Sequence, residues 1–275
     1  MYKLIALDID GTLTNDDKII PQRNLDVLMK AQRDYGMRII LASGRPTYGI
    51  QHLAQQLSLP RYGGFIMAYN GALLIDCASE RTIVQEVITR TTLPDLCKAA
   101  EEFGQALITY DEANNTILTT VLGNKWIEHE AWLNNKMNLQ LVENMPEQAP
   151  ADLPKCLMVG EPEDMERLTP IMQERFPELA IYRSSPFFME IVPRGIDKAK
   201  TLSRLCRLMH TTPEESLVAM GDGYNDISMV KLAGFGVAME NGCADIKEIA
   251  NFIAPSNVDC GVAVAMEKIL TDSSK

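Results

Sequence analysis

Short apolar runs alternate with longer amphipathic ones at both ends of the chain. Leu4 to Ile9, Met37 to Ala42 and Phe65 to Tyr69 are apolar, and the stretches between them, Gln22 to Tyr35 and Pro46 to Leu57, have helical character. Strands apolar on both faces and separated by helices predict a parallel sheet covered on both sides. The theme returns in the last third. There, helices are expected at Ala199 to Met209, Asp226 to Ala233, Asp245 to Asn251 and Val262 to Leu270, with strands at Leu217 to Met220 and Phe235 to Met239. The middle differs in character, with short β-like runs at Ala106 to Tyr110, Thr116 to Val121, Cys156 to Val159, Leu179 to Arg183 and Phe187 to Val192. Helical runs near Pro94 to Phe103, Lys125 to Lys136 and Pro162 to Phe176 separate some of them. The whole predicts an α/β core, residues 1–82 and 187–275, with an α+β domain inserted at 83–186.

A length of 275 residues suits about two domains, and 46% hydrophobic with 23% charged residues is ordinary for a soluble protein. No apolar run approaches the roughly 18 residues of a membrane helix. The first residues carry no basic region followed by a long apolar stretch, so the expected location is the cytoplasm. Six cysteines without a CxxC pair argue against a zinc site or a disulfide framework. The net charge of -11 disfavours nucleic acid and anionic membranes as partners. It would also repel a phosphate, so a phosphate-binding site here needs concentrated local positive charge.

Candidate chemistry gathers where strands end. Asp8-Ile9-Asp10-Gly11-Thr12 leaves the first apolar run, and in open α/β sheets ligands bind at that carboxyl edge. By itself the segment also fits a solvated turn. An EF-hand loop counted from Asp8 would need Glu at its twelfth position, where Ile19 stands. A second acidic turn, Gly221-Asp222-Gly223-Tyr224-Asn225-Asp226, follows the strand Leu217 to Met220, and two such ends can converge on a hard cation. Ser43-Gly44-Arg45 ends another strand, where a hydroxyl and backbone N–H groups would suit a phosphoryl oxygen or merely cap a helix. Lys198 opens the first helix after the insert. Gly234-Phe235-Gly236 begins like a dinucleotide fingerprint but leads into a strand, which reads as tight packing.

The four segments together, in this order, resemble the haloacid dehalogenase-like hydrolases, and within them the Cof-type sugar-phosphatase-like group, whose cap domain is inserted between the second and third motifs. The resemblance covers essentially the whole chain, through Asp8 to Thr12, Ser43 to Arg45, Lys198 and Gly221 to Asp226. Ala199 replaces a glycine frequent after the motif lysine, and Tyr69-Asn70-Gly71-Ala72 matches a further common segment. The resemblance implies a Rossmann-like core with an α+β cap, and a Mg2+-dependent phosphatase for small phosphomonoesters such as sugar phosphates. In it Asp8 is the nucleophile, forming a phosphoaspartate, and Asp10 the general acid and then base.

The resemblance further implies that Mg2+ is held by Asp8, the backbone carbonyl of Asp10 and Asp222, with Asp226 an outer ligand. Thr12, Ser43, Gly44, Arg45, Lys198 and Asn225 are expected around the phosphoryl group. Clustered carboxylates should raise one another's pKa unless a cation sits among them. Two alternatives stay open: a phosphotransferase or phosphomutase using the same phosphoaspartate, and a non-enzymatic binding protein that retains the fold.

Overall fold

The structure, a computed structural model, describes residues 2–111, 113 and 115–272. In chain order the strands begin with β1 (Leu4–Leu7), β2 (Arg38–Ala42), β3 (Phe65–Ala68), β4 (Leu73–Asp76) and β5 (Arg81–Gln85). There follow β6 (Ala106–Tyr110), β7 (Thr116–Thr119), β8 (Asn138–Leu141), β9 (Cys156–Val159), β10 (Leu179–Ser185) and β11 (Phe188–Pro193). The chain closes with β12 (Leu217–Gly221), β13 (Phe235–Met239) and β14 (Phe252–Ala254).

By its contacts the chain divides into two compact units. The first comprises residues 1–44, 50–84 and 197–275, and its sheet runs β14-β13-β12-β1-β2-β3-β4-β5. Every residue of β1 and β12 is buried, as strands apolar on both faces must be. Leu4 and Ala6 face a core with Leu202, Leu205 and Met229. Helices Gln22–Tyr35 and Gly261–Asp272 pack together and contribute Leu28 and Val262 to the buried set. The pairs from β14 to β3 are parallel, whereas β3 and β4 are antiparallel. The β4–β5 extension is absent from the expected elements because β5, Arg-Thr-Ile-Val-Gln, is mostly exposed and does not read as an apolar run. Asp76 Oδ1 accepts the N–H groups of Ala78 and Ser79 at 2.8 and 3.0 Å, a local polar turn that interrupts the apolar pattern.

The second unit comprises residues 85–196 together with 45–49. Its sheet, β10-β11-β9-β6-β7-β8, is antiparallel except where β7 pairs with β8. Helices Leu93–Glu102 and Pro162–Arg175 supply Leu96, Ala99, Leu168 and Met172 to its core. Strand β11 pairs with both β9 and β10, so it lies in this sheet and the return to the first unit comes at Asp197, later than residue 187. Among the described residues no helix is long and apolar enough to cross a membrane.

Candidate active site

Sheet register aligns the strand ends of the first unit. Leu7 pairs with Met220 on one side and Leu41 on the other. Asp8 N–H donates to Met220 O at 3.0 Å and Ser43 N–H to Met67 O at 2.9 Å, so pairing persists to the site's edge. Asp8, Ser43 and Asp222 therefore emerge side by side. Gly11 turns the chain with φ +81, a conformation L side chains rarely adopt. A Cβ there would press into the Asp222 carboxylate, so glycine serves both the turn and the close approach.

Lys198 comes from 190 residues away and is almost wholly buried. Its ammonium donates to Asp8 Oδ1 at 2.7 Å, Asp226 Oδ1 at 2.6 Å and the Ala42 carbonyl at 2.9 Å, using all three of its protons. Its position is fixed from the helix start, where the Asp197 side chain caps Ala199 and Lys200 N–H at 2.7 and 3.1 Å. Asp226 is equally committed. Its Oδ2 accepts the N–H groups of Asp222 and Gly223 at 3.1 and 3.0 Å, so the carboxylate organises the acidic turn and holds the lysine.

Thr12 is buried and its hydroxyl donates to Asp222 Oδ1 at 2.7 Å. That leaves its backbone N–H as the donor it could offer a ligand. Asn225 donates to Asn70 Oδ1 at 3.0 Å, and Asn70 N–H donates to Ser43 O at 2.9 Å, which ties the second and fourth motifs together. Gly44 lies against Asn70, whose Nδ2 would be 3.2 Å from an added Cβ. Arg45 groups instead with the second unit, where Nη1 donates to Gly49 O at 3.1 Å. Asp10 is half-buried and its Oδ1 pairs with Lys18 at 2.7 Å.

One carboxylate oxygen each from Asp8, Asp222 and Asp226 lies within 4.8 Å of the others. Such an acidic, all-oxygen set suits a hard divalent cation. Burial, ahead of repulsion from Asp226 and Asp222, pushes the Asp8 carboxyl well above its ordinary range despite the pull of Lys198. Asp222 rises to about 6, again mainly through burial, with the Thr12 hydrogen bond opposing. Burial alone would lower Lys198, but Asp226 and Asp8 overcome it and hold the ammonium above its ordinary value. Repulsion among the carboxylates thus adds to the rise of Asp8 and Asp222, with desolvation the larger cause for both.

Two contributors escape the sequence motifs. Asn241 donates to Gly11 O at 2.8 Å and pins the turn, and Lys18 sits on Asp10. Neither stands in a segment with a recognisable spacing. The glycines at 234 and 236 have the packing role expected of them. A Cβ on Gly236 would strike the Val230 carbonyl, and β13 begins at Phe235 with no strand-to-helix phosphate turn.

A family model described as haloacid dehalogenase-like hydrolase matches residues 5–266. The Bacillus subtilis 5-amino-6-(5-phospho-D-ribitylamino)uracil phosphatase YcsE is 30% identical over 96% of this chain and 94% of its own. A haloacid dehalogenase-like hydrolase from Bacteroides thetaiotaomicron, known from its crystal structure, is 40% identical with a TM-score of 0.93, over 98% of this chain and all of that one. TM0651 from Thermotoga maritima is 28% identical with a TM-score of 0.85, over 98% and 97% of the two chains. A match that runs through nearly the whole length places this chain among the haloacid dehalogenase-like hydrolases, in their Cof-type group, as a phosphatase.

Proposed function

We propose that the protein hydrolyses small phosphomonoesters, sugar or polyol phosphates and related metabolites, through a phosphoaspartate on Asp8 with Mg2+ as cofactor. The observation that carries this reading is the buried ammonium of Lys198 bridging Asp8 and Asp226 at 2.7 and 2.6 Å. It fixes one oxygen of Asp8 and sets a full positive charge beside the position of a transferring phosphoryl group. The substrate class draws support from YcsE, whose named substrate carries its phosphate on a ribityl chain.

Asp8 attacks phosphorus as the bond to the leaving oxygen breaks, and Asp10 delivers a proton to that oxygen. Water then attacks the phosphoaspartate while Asp10 takes a proton from it. Ser43 and the N–H groups of Gly44 and Thr12 orient the phosphoryl oxygens. Arg45 is a further phosphate contact in this reading, and Asn225, steadied by Asn70, lines the same group. Asp8, Asp222 and the Asp10 backbone carbonyl would hold Mg2+, with Asp226 behind them as an outer ligand. The bound cation supplies positive charge to the phosphoryl oxygens. We assign leaving-group selection to the inserted unit.

The test is phosphate release from a panel of phosphorylated metabolites, with and without EDTA. Activity should need Mg2+, and Asp8→Asn should abolish turnover without unfolding the protein. Acid-quenched wild type should carry a phosphate adduct on Asp8. Turnover that persists in Asp8→Asn, or an isomeric sugar phosphate formed without free phosphate, would overturn the proposal.

A further inference from the structure

We propose that Lys18 is a positioning residue for the reaction, orienting the Asp10 carboxyl group toward the leaving oxygen. The inference rests on the role of Asp10 in the proposed function.

Lys18 lies in a loop whose route is set by both of its roots. Leu13 and Ile20 are buried, Thr14 Oγ1 donates to Ile9 O at 2.9 Å, and Thr14 O accepts from Asn257 Nδ2 at 2.9 Å. Beyond that root, Asn15 closes a tight turn. Its N–H donates to Ile19 O at 3.0 Å, its carbonyl accepts from Lys18 N–H at 3.0 Å, and its side chain accepts from Ile19 N–H at 3.0 Å. The turn holds Lys18 at φ +63, a left-handed conformation that disfavours a residue with a Cβ. It delivers the ammonium to Asp10 Oδ1 at 2.7 Å.

Stability does not account for this arrangement. The two side chains are 34% and 39% exposed, and ion pairs so open to water contribute little to folding. What the pair does supply is direction. An aspartate side chain has two torsions, and engaging one carboxyl oxygen with an ammonium delivered from a backbone that the turn fixes restricts both. Oδ2 then carries the proton that is transferred. In the first step the P–O bond to Asp8 forms and the P–O bond to the leaving group breaks. The proton moves from Asp10 Oδ2 to the departing oxygen, and the negative charge left on Asp10 develops 2.7 Å from the Lys18 ammonium.

Leaving groups differ in how much they need that proton, which gives the test. The value of kcat/KM reports the step in which the leaving group departs. It would be measured with p-nitrophenyl phosphate, phenyl phosphate and glycerol 3-phosphate for wild type, Lys18→Met, Lys18→Arg and Asp10→Asn. Lys18→Met should lose roughly tenfold with the two poor leaving groups and markedly less with p-nitrophenyl phosphate, within the range one positioned acid contributes. Lys18→Arg, which keeps a donor and charge, should recover most of the loss. An equal loss across the three substrates, or none, while Asp10→Asn shows the graded loss, overturns the role of Lys18 alone. If Asp10→Asn also loses activity evenly, the acid role of Asp10 falls and this inference falls with it.

Discussion

Replacing Lys198 with methionine tests how much of the site's order depends on one buried charge. The ammonium makes two contacts with carboxylates at 2.6 and 2.7 Å. At an effective dielectric of about 20, each corresponds to about 6 kcal/mol of Coulomb attraction, opposed by the desolvation of all three groups. Removing one partner from a buried pair costs about 3–5 kcal/mol, because the charges left behind stay buried without compensation. At about 2–4 °C per kcal/mol for chains of this size, Lys198→Met should melt roughly 6–20 °C below wild type in EDTA at pH 8. The penalty must shrink at pH 5. Asp8 already binds its proton more tightly than in the unfolded chain, and without Lys198 its pKa rises further. A native state that holds more protons than the unfolded state gains stability as pH falls. Adding Asp226→Asn should recover part of the loss by removing one stranded carboxylate. The assay is thermal unfolding by circular dichroism at both pH values. A variant within about 1 kcal/mol of wild type at pH 8, or one equally destabilised at pH 5, would refute the reasoning.

Three further expectations follow from the same geometry. Gly11→Ala must place a Cβ at φ +81 against Asp222, so it should lose at least about 1–2 kcal/mol and most activity; near-normal turnover would show that the turn tolerates a side chain. Asp222 is raised to about 6, so in metal-free protein its contribution to stability is full below its ordinary pKa and is lost as pH rises through about 6. Protons therefore compete with the cation, and Mg2+ affinity by isothermal titration should strengthen roughly tenfold from pH 5 to 7, against a flat profile if Asp222 is not a ligand. In the second unit Lys155 and Glu190 form a buried pair at 3.2 Å, and burial raises Glu190 against the pull of Lys155. Lys155→Met should cost about 3–5 kcal/mol in urea unfolding at pH 7.5, and adding Glu190→Leu should restore most of it; a double variant as unstable as the single would count against the pairing.

Much of the core is readable from sequence because its strands are buried on both faces and so appear as unbroken apolar runs. The acidic segments could be placed on strand ends for the same reason. That Asp8 and Lys198 meet depends on contacts across 190 residues, which no local pattern encodes; here the ordered motifs stood in for geometry. The part of a motif residue that faces a ligand is less legible. The resemblance offers Thr12 to the phosphoryl group by hydroxyl or backbone, and its hydroxyl is given to Asp222, which leaves the backbone N–H. Lys18 stands outside every motif, because its meeting with Asp10 depends on a left-handed turn built around Asn15. The boundary of the insert near residue 186 is similarly hidden. Strand β11 is apolar throughout, and only its pairing with β9 and β10 shows which sheet it joins.

The charge of the site sharpens the problem posed by a net charge of -11. Lys198 looks in sequence like positive charge for a phosphate, but its three protons are already committed to Asp8, Asp226 and the Ala42 carbonyl. With Asp8, Asp222 and Asp226 ionised, three carboxylates face one ammonium, and two negative charges remain where an anion is to bind. The lysine thus keeps Asp8 ionisable and in place more than it attracts substrate. Under the proposed function much of the attraction comes from a divalent cation, which the cluster of oxygens within 4.8 Å is suited to hold. On that reading the metal binds before the phosphate, and substrate affinity should follow Mg2+ occupancy more closely than it follows the number of basic residues around the site.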